Sequence, residues 1–315
     1  MTVTVIGGGV MGLCVATELT RRGIPAAIRD RAPGPHACSW WAGGMLAPHC
    51  EGESADAAVT RHGLASADWW LAQGVPVARN GTLVVSAARD AASLDRFARR
   101  STGHRMLDAQ GLAALEPDLA GRFGRALFFA DEAHLNPRQA LSILSARLPR
   151  TEVLSGRIID CRGLAARDAL PDLRGVRGEM VVIRCPDVTL SRPVRLLHPR
   201  IPLYLVPRGD GIFMLGATML ESDRRGPPTV RAVLELLGAA FALHPALAEA
   251  EVLELGADAR PAFPDNLPRI RRIGGTLHAN GLYRHGFLLA PAVARMVADH
   301  LQHGTRPEFM DADHS

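Results

Sequence analysis

Near the amino end, Gly7-Gly8-Gly9-Val10-Met11-Gly12 places glycines at the first, third and sixth positions of a six-residue turn. A G-x-G-x-x-G turn brings bare backbone N–H groups against an anion, because no side chain stands between them. Gly7 permits the tight turn, Gly9 admits a pyrophosphate, and Gly12 lets a helix lie close to a strand. Asp30 follows Gly12 at the spacing from which a carboxylate accepts hydrogen bonds from a ribose diol. This chemistry is dinucleotide binding, and the unit by itself leaves FAD and NAD both open.

Such a cradle needs a buried strand before it and a helix after it. Thr2 to Ile6 is short, β-branched and apolar, as a strand buried on both faces of a parallel sheet should be. Val10, Leu13, Cys14, Ala16 and Leu19 recur at helical spacing up to Arg22, and Gly23 supplies a stop. Ala26 to Arg29 predicts the second strand, and Arg157 to Asp160 a later one. The patterns at Val230 to Ala242 and at Pro291 to Leu301 predict helices, the latter with proline in its first turn.

Composition removes several function classes. All 36 basic residues are arginine, so a P-loop lysine, a Schiff-base lysine and a lysine general base are excluded. A net charge of +4 spread over scattered arginines describes a solvated surface, not a nucleic-acid face. The five cysteines form no C-x-x-C pair and read as reduced thiols. No H-E-x-x-H occurs, and the close pair His300 and His303 lies in a polar tail, so no metal site is expected. No apolar run reaches the roughly 20 residues of a membrane span, and the first strand starts without a basic leader, which points to the cytoplasm. With 315 residues, 47% apolar and 22% charged, the chain has the makings of one large or two moderate globular domains.

The stretch Ser39-Trp40-Trp41-Ala42-Gly43-Gly44-Met45-Leu46-Ala47-Pro48 resembles the segment after the second strand in the glycine oxidase and D-amino acid oxidase family of FAD enzymes. Tyr204-Leu205-Val206-Pro207-Arg208 with Gly216-Ala217-Thr218-Met219 is similar to that family's substrate-sheet motif, and Arg260-Pro261 to its L-R-P element. Gly281 to Pro291 resembles the C-terminal flavin loop, and Glu116-Pro117, His134 to Pro137 and Leu173 to Glu179 also resemble family positions. The order is the family's own across nearly the whole chain. The sequence departs where Cys161-Arg162-Gly163 replaces A-A-G and where only Thr151 to Ser155 remains of an antiparallel meander. That shortening bears on how the adenine side of the cofactor is covered.

The resemblance implies an α/β fold, with an FAD-binding Rossmann-like domain of the glutathione-reductase type and a mixed α+β substrate domain. The FAD domain is expected to be discontinuous, from 1–50, 135–183 and 256–315, with 51–134 and 184–255 building the substrate domain. In the turn, Gly7, Gly9, Val10, Met11 and Gly12 would contact FAD, and Asp30 and Arg31 would follow after the second strand. Ser39, Ala42, Gly43 and Met45 would run along the flavin, with Gly163 nearby. Arg284, His285, Gly286, Phe287 and Leu288 would form the C-terminal loop, whose helix aims its positive end at charge on the reduced flavin. No Cys follows Cys185, where cysteine-linked relatives carry the attachment, so FAD is expected to be non-covalent.

The implied catalytic set is Arg260 clamping a substrate carboxylate, Tyr204 bonding or capping the same end, and Met219 lining the pocket. A neutral amine needs positioning more than acid–base machinery, because its lone pair assists hydride departure. Glycine is the leading substrate, oxidised to an imine used for the thiamine thiazole or hydrolysed to glyoxylate. Oxygen is the implied acceptor, although the lysine that sarcosine oxidases place beside flavin has no counterpart, and a dehydrogenase fits the same residues. Sarcosine, proline or a D-amino acid as substrate, a non-catalytic FAD protein and an NAD dehydrogenase are the competing readings. A homo-oligomer is compatible with all of them.

Overall fold

The computed structural model describes residues 2–311. Strand Val3–Ile6 lies between Ala26–Arg29 and Arg157–Asp160, parallel to both. Flanked on two sides and covered on two faces, it keeps Val3, Thr4 and Val5 buried, which is why its sequence shows no polar alternation. A parallel neighbour requires a crossover, and helix Val10–Arg21 supplies it. Among the described residues this five-stranded sheet runs Arg269–Ile273, Thr276–Asn280, Arg157–Asp160, Val3–Ile6, Ala26–Arg29.

Helix Gly286–His303 packs against Val10–Arg21 over this sheet. It begins before the predicted Pro291 start, and the proline lies inside it. Proline has no N–H, so the Phe287 carbonyl one turn back loses its helical donor. Trp70 Nε1 at 2.9 Å and Ser66 Oγ at 3.1 Å donate to that carbonyl instead. Both come from the helix Ser66–Ala72, which joins Ala57–Gly63 in the same apolar core through Ala58, Val59, Trp69 and Trp70. That segment lies within the stretch expected to serve the substrate.

The meander remnant expected at Thr151 to Ser155 forms no strand. Thr4 Oγ1 donates to the Ser155 carbonyl at 2.8 Å and accepts from the Ser155 N–H at 3.1 Å, which ties this loop to the first strand. A side-chain hydroxyl supplies both bonds that a strand neighbour would have supplied from backbone.

Among the described residues a second, nine-stranded sheet runs Leu220–Glu221, Arg174–Arg184, Ile212–Gly216, Leu203–Gly209, Val194–Leu196, Thr82–Val85, Arg125–Phe129, Arg105–Asp108, with Glu251–Ala262 also paired to Arg174–Arg184. Helix Val230–Leu243 covers one face, setting Leu236, Ala239, Ala240 and Leu243 against Val181, Leu205, Phe213 and Leu215. Arg174–Arg184 and Glu251–Ala262 pair antiparallel along their lengths. The divisions expected at 183/184 and 255/256 therefore fall within strands of this sheet, because these long strands carry the chain from one body into the other.

Glu18 fastens the helical layer together. It is fully buried and accepts Trp69 Nε1 at 3.0 Å, Arg21 Nη2 at 2.8 Å and Arg22 Nε at 2.8 Å. Burial alone would raise its carboxyl, but the bonds from Arg21, Trp69 and Arg22 outweigh that and hold its pKa at about 2. A depressed folded pKa gives stability that is present above the unfolded value and lost as pH falls through the folded one. Glu18→Gln should cost about 2 to 4 kcal/mol at pH 7. It should also flatten the loss of stability between pH 4.5 and about 2, read as thermal midpoint against pH. An unchanged profile would refute the role.

Candidate cofactor and substrate site

The two sheets meet around one cleft of about 490 Å³. Gly7, Gly9, Val10 and Met11 line it, together with Asp30, Arg31, Ser39, Ala42, Gly43, Met45 and Gly163. So do Arg284 to Leu288 of the C-terminal segment, and Tyr204, Met219 and Arg260 of the large sheet. Gly12 is the one expected site residue that does not line the cleft. It lies beneath, where a Cβ would run into the Gly7 carbonyl oxygen, while Gly7 itself turns at φ 109°.

Local bonds fix the cradle. Ser39 Oγ accepts the Val10 N–H at 3.0 Å, occupying one of the helix's unpaired donors. Asp30 accepts the Gly8 N–H at 2.6 Å and the Arg31 N–H at 2.7 Å, one on each carboxylate oxygen. Each oxygen keeps a further lone pair, so the carboxylate stays able to accept a hydroxyl. The Gly163 carbonyl accepts Asn280 Nδ2 at 2.9 Å, which ties the turn after Arg157–Asp160 to the end of Thr276–Asn280 at the cleft wall. Arg31, His36, Arg162 and Leu164 line the cleft as well, and none of them comes from the missing meander.

The substrate-side motifs converge on Glu51, which no sequence motif singled out. Tyr204 Oη donates to Glu51 Oε1 at 2.9 Å. Arg284 Nε lies 2.8 Å from Oε2 in an ion pair whose angle does not make it a hydrogen bond, and His285 Nδ1 lies 3.5 Å from the same oxygen. Burial pushes the Glu51 carboxyl up, but Arg284, Arg195 and the Tyr204 bond overcome it and hold the pKa at about 2. His285, by contrast, is pushed down to about 4 by burial and is neutral at pH 7. Beneath this turn, Glu132 accepts the Cys50 N–H at 2.6 Å, and burial raises its carboxyl to about 8. Two nearby carboxyls thus sit in opposite protonation states.

Tyr204 was expected to serve the end of the site that holds a carboxylate. Its single proton is instead committed to Glu51, so its remaining valence toward the cleft is acceptor only. Arg195 was also missed. It is an arginine inside the short strand Val194–Leu196, buried over the Tyr204 ring at 5.0 Å from its centroid, and burial is outweighed so that it stays charged. A charged residue between two apolar ones, Val194 and Leu196, is the local signal from which it could have been found. Met219 rims the cleft, its sulfur 3.5 Å from Tyr283 Oη and 3.4 Å from Arg284 Nη1.

Arg260 stands apart from these pairs. Its Nη1 donates to the Thr218 carbonyl at 3.2 Å, and no carboxylate among the described residues forms an ion pair with it. Gly178 leaves the space its guanidinium fills. Burial lowers its pKa and the charge on Arg284 adds to that, which the partial offset from Glu51 does not overcome. The arrangement can hold one carboxylate ligand on Arg260 beside a dinucleotide on the glycine turn. Gly12→Ala should lift the first helix off its strand and abolish dinucleotide binding, read from the absorbance of nucleotide that copurifies. A mutant that retained the wild-type complement would overturn this account of the turn.

The model of the family described as FAD dependent oxidoreductase matches residues 2–153 and 146–300. The chain is 55% identical over 316 aligned positions to a Rhizobium etli protein bearing the name of a thiamine biosynthesis oxidoreductase, ThiO, covering 96% of each. It is 27% identical to the glycine oxidase of Pseudomonas aeruginosa, covering 97% of this chain and 95% of that one. The crystal structure of glycine oxidase from Geobacillus kaustophilus superposes with a TM-score of 0.80 at 21% identity, covering 98% of this chain and 95% of that one, which establishes the shared fold. The chain belongs to the DAO family of FAD-dependent oxidoreductases.

Proposed function

We propose that the chain oxidises a small amino acid, glycine foremost, removing a hydride from the carbon beside the nitrogen, with oxygen as terminal acceptor. Its product, iminoacetate, would feed thiamine thiazole synthesis or hydrolyse to glyoxylate, a placement supported by the name of the Rhizobium etli relative. On this reading the five-stranded body holds FAD and the nine-stranded sheet presents the substrate.

The residues present fit FAD. A strand, a glycine turn and a helix start meet the cleft in the arrangement that binds a pyrophosphate, and Asp30 is placed to accept from a ribose. Cys38 and Cys161 line the same cleft, yet burial pushes the Cys38 thiol up to about 11 and also raises the Cys161 thiol well above its ordinary value. Neither forms a thiolate readily at neutral pH, which supports a cofactor held without a covalent bond. When bound, FAD supplies the hydride acceptor.

The observation that carries the reading is Arg260, a half-buried guanidinium without an anion, facing the same cleft as the glycine turn. A planar guanidinium fixes a carboxylate in two places and so sets the orientation of the carbon next to it. Glu51 neutralises Arg284, which leaves Arg260 as the cation with unmet demand. Tyr204 offers lone pairs to the amine end of the ligand, since its proton lies on the Glu51 side. Neutral His285 adds no positive charge where the substrate nitrogen must give up its own proton.

Anaerobic addition of glycine, sarcosine and D-alanine to the purified yellow protein separates the substrate readings. Glycine should bleach the visible flavin band. If glycine leaves the spectrum unchanged while a bulkier amine bleaches it, glycine is not the substrate. Arg260→Ala should lower kcat/KM by about 30- to 900-fold, the equivalent of about 2 to 4 kcal/mol, because the carboxylate is then left partly buried and unpaired. A loss under threefold in steady-state assays would remove Arg260 from that role.

A further inference from the structure

Arg208 has no place in the chemistry described so far, and its surroundings call for a reason. Arg208 lines a hollow adjoining the cofactor cleft, together with Trp40, Asn136 and Met180, the last of which also lines the cleft. The nearest acid there, Glu254, is taken by Arg138 at 2.7 Å. Among the described residues Arg208 pairs with no carboxylate, and burial, helped by the charge on Arg138, pushes its pKa down to about 10. It is satisfied by backbone carbonyls alone, donating to Gly43 O at 2.7 Å, Leu135 O at 3.2 Å and Ala42 O at 3.4 Å. An unpaired cation among carbonyls is costly, so its retention asks for a use.

Two of those carbonyls belong to successive peptide groups, Ala42–Gly43 and Gly43–Gly44. In a trans peptide the C=O and N–H point in opposite directions. With both oxygens drawn toward Arg208, the Gly43 and Gly44 N–H groups point away from it. Ala42, Gly43 and Gly44 line the cofactor cleft, which Arg208 does not. Neither N–H has an acceptor among the described residues. Gly43 also faces Met214 and Val206 of the substrate sheet, placing the pair where cofactor and substrate meet.

We propose that Arg208 is a positioning residue that acts through these two peptide groups, aiming and polarising the Gly43 and Gly44 N–H groups as a paired donor site for negative charge on the reduced ring of FAD. The proposal rests on the FAD-dependent reading above. Hydrogen bonds in series strengthen one another, and preorganised donors stabilise charge without reorganising when it arrives. Arg208 thereby raises the reduction potential of the cofactor without touching it.

Sulfite adds reversibly to an oxidised flavin ring and loads it with negative charge, so its dissociation constant reads the same donors in the absence of substrate. The experiment compares wild type with Arg208→Met and Arg208→Gln, purified with FAD, by sulfite titration and by dye equilibration of the midpoint potential. The neutral variants should bind sulfite at least tenfold more weakly, with a midpoint lower by about 30 mV or more, the two-electron equivalent of that factor. Arg208→Lys, which keeps the charge but loses the fork, should fall between. Sulfite affinity equal to wild type in a neutral variant that retains FAD overturns the proposal. Loss of FAD from both neutral variants overturns it too, since a purely structural prop would give that result. Wild-type protein without flavin absorbance would instead remove the cofactor reading on which the proposal stands.

Discussion

The antiparallel pairing of Arg174–Arg184 with Glu251–Ala262 is the constraint on which the cleft depends. The two strands are long, and their register sets Arg260 opposite Val176 and Gly256 opposite Met180. Met180 in turn faces Gly216, which faces Tyr204. The row Gly256, Met180, Gly216, Tyr204, with Arg260 four residues along its strand from Gly256, thus fixes the spacing between the guanidinium and the phenol. Strand ladders resist stretching, so the substrate-side groups are held by backbone and not by loop conformation. The Pro261 carbonyl beyond Arg260 then accepts the Tyr283 N–H at 2.9 Å, locking the large sheet to the C-terminal loop at the cleft.

Charge within that cleft is arranged by subtraction. Arg195, Arg260 and Arg284 all line it, the first buried and the other two half-buried, and leaving all three uncompensated would be costly. Glu51, carried on the short helix Pro48–Glu51, takes Arg284 directly and Tyr204 through its hydroxyl. Arg195 lies within 3.9 Å of Glu53 and against two aromatic rings. Of these three, Arg260 alone makes no ion pair with a carboxylate of the described residues. On the proposed function, selectivity for one anionic group follows from how completely the others are occupied.

The cofactor side relies on a different economy, in which side chains stand in for backbone partners. Trp70 and Ser66 replace the donor that Pro291 lacks, Thr4 replaces a strand neighbour for Ser155, and Ser39 caps the helix that Gly9 cannot cap. Each substitution is a contact between residues distant in sequence. A short chain retains the small sheet because these contacts satisfy polar groups that extra strands would otherwise have covered.

The sequence by itself determined the Val3–Ile6, Val10–Arg21, Ala26–Arg29 unit and helix Val230–Leu243, because their periodicity and punctuation are local. It also singled out many of the residues that line the cleft, through the glycine turn and through motifs that resemble the family's. Tertiary structure alone decided where the last helix begins, since the missing bond at Pro291 is repaired by Trp70, more than 200 residues away. It alone brought Glu51 beneath Tyr204 and Arg284, turned the Tyr204 proton away from the expected ligand end, and hid Arg208 behind the segment it grips. A side chain's charge and donor capacity are written in its residue type. The partner that uses them is set by which distant strand lies across from it, and no local pattern carries that information.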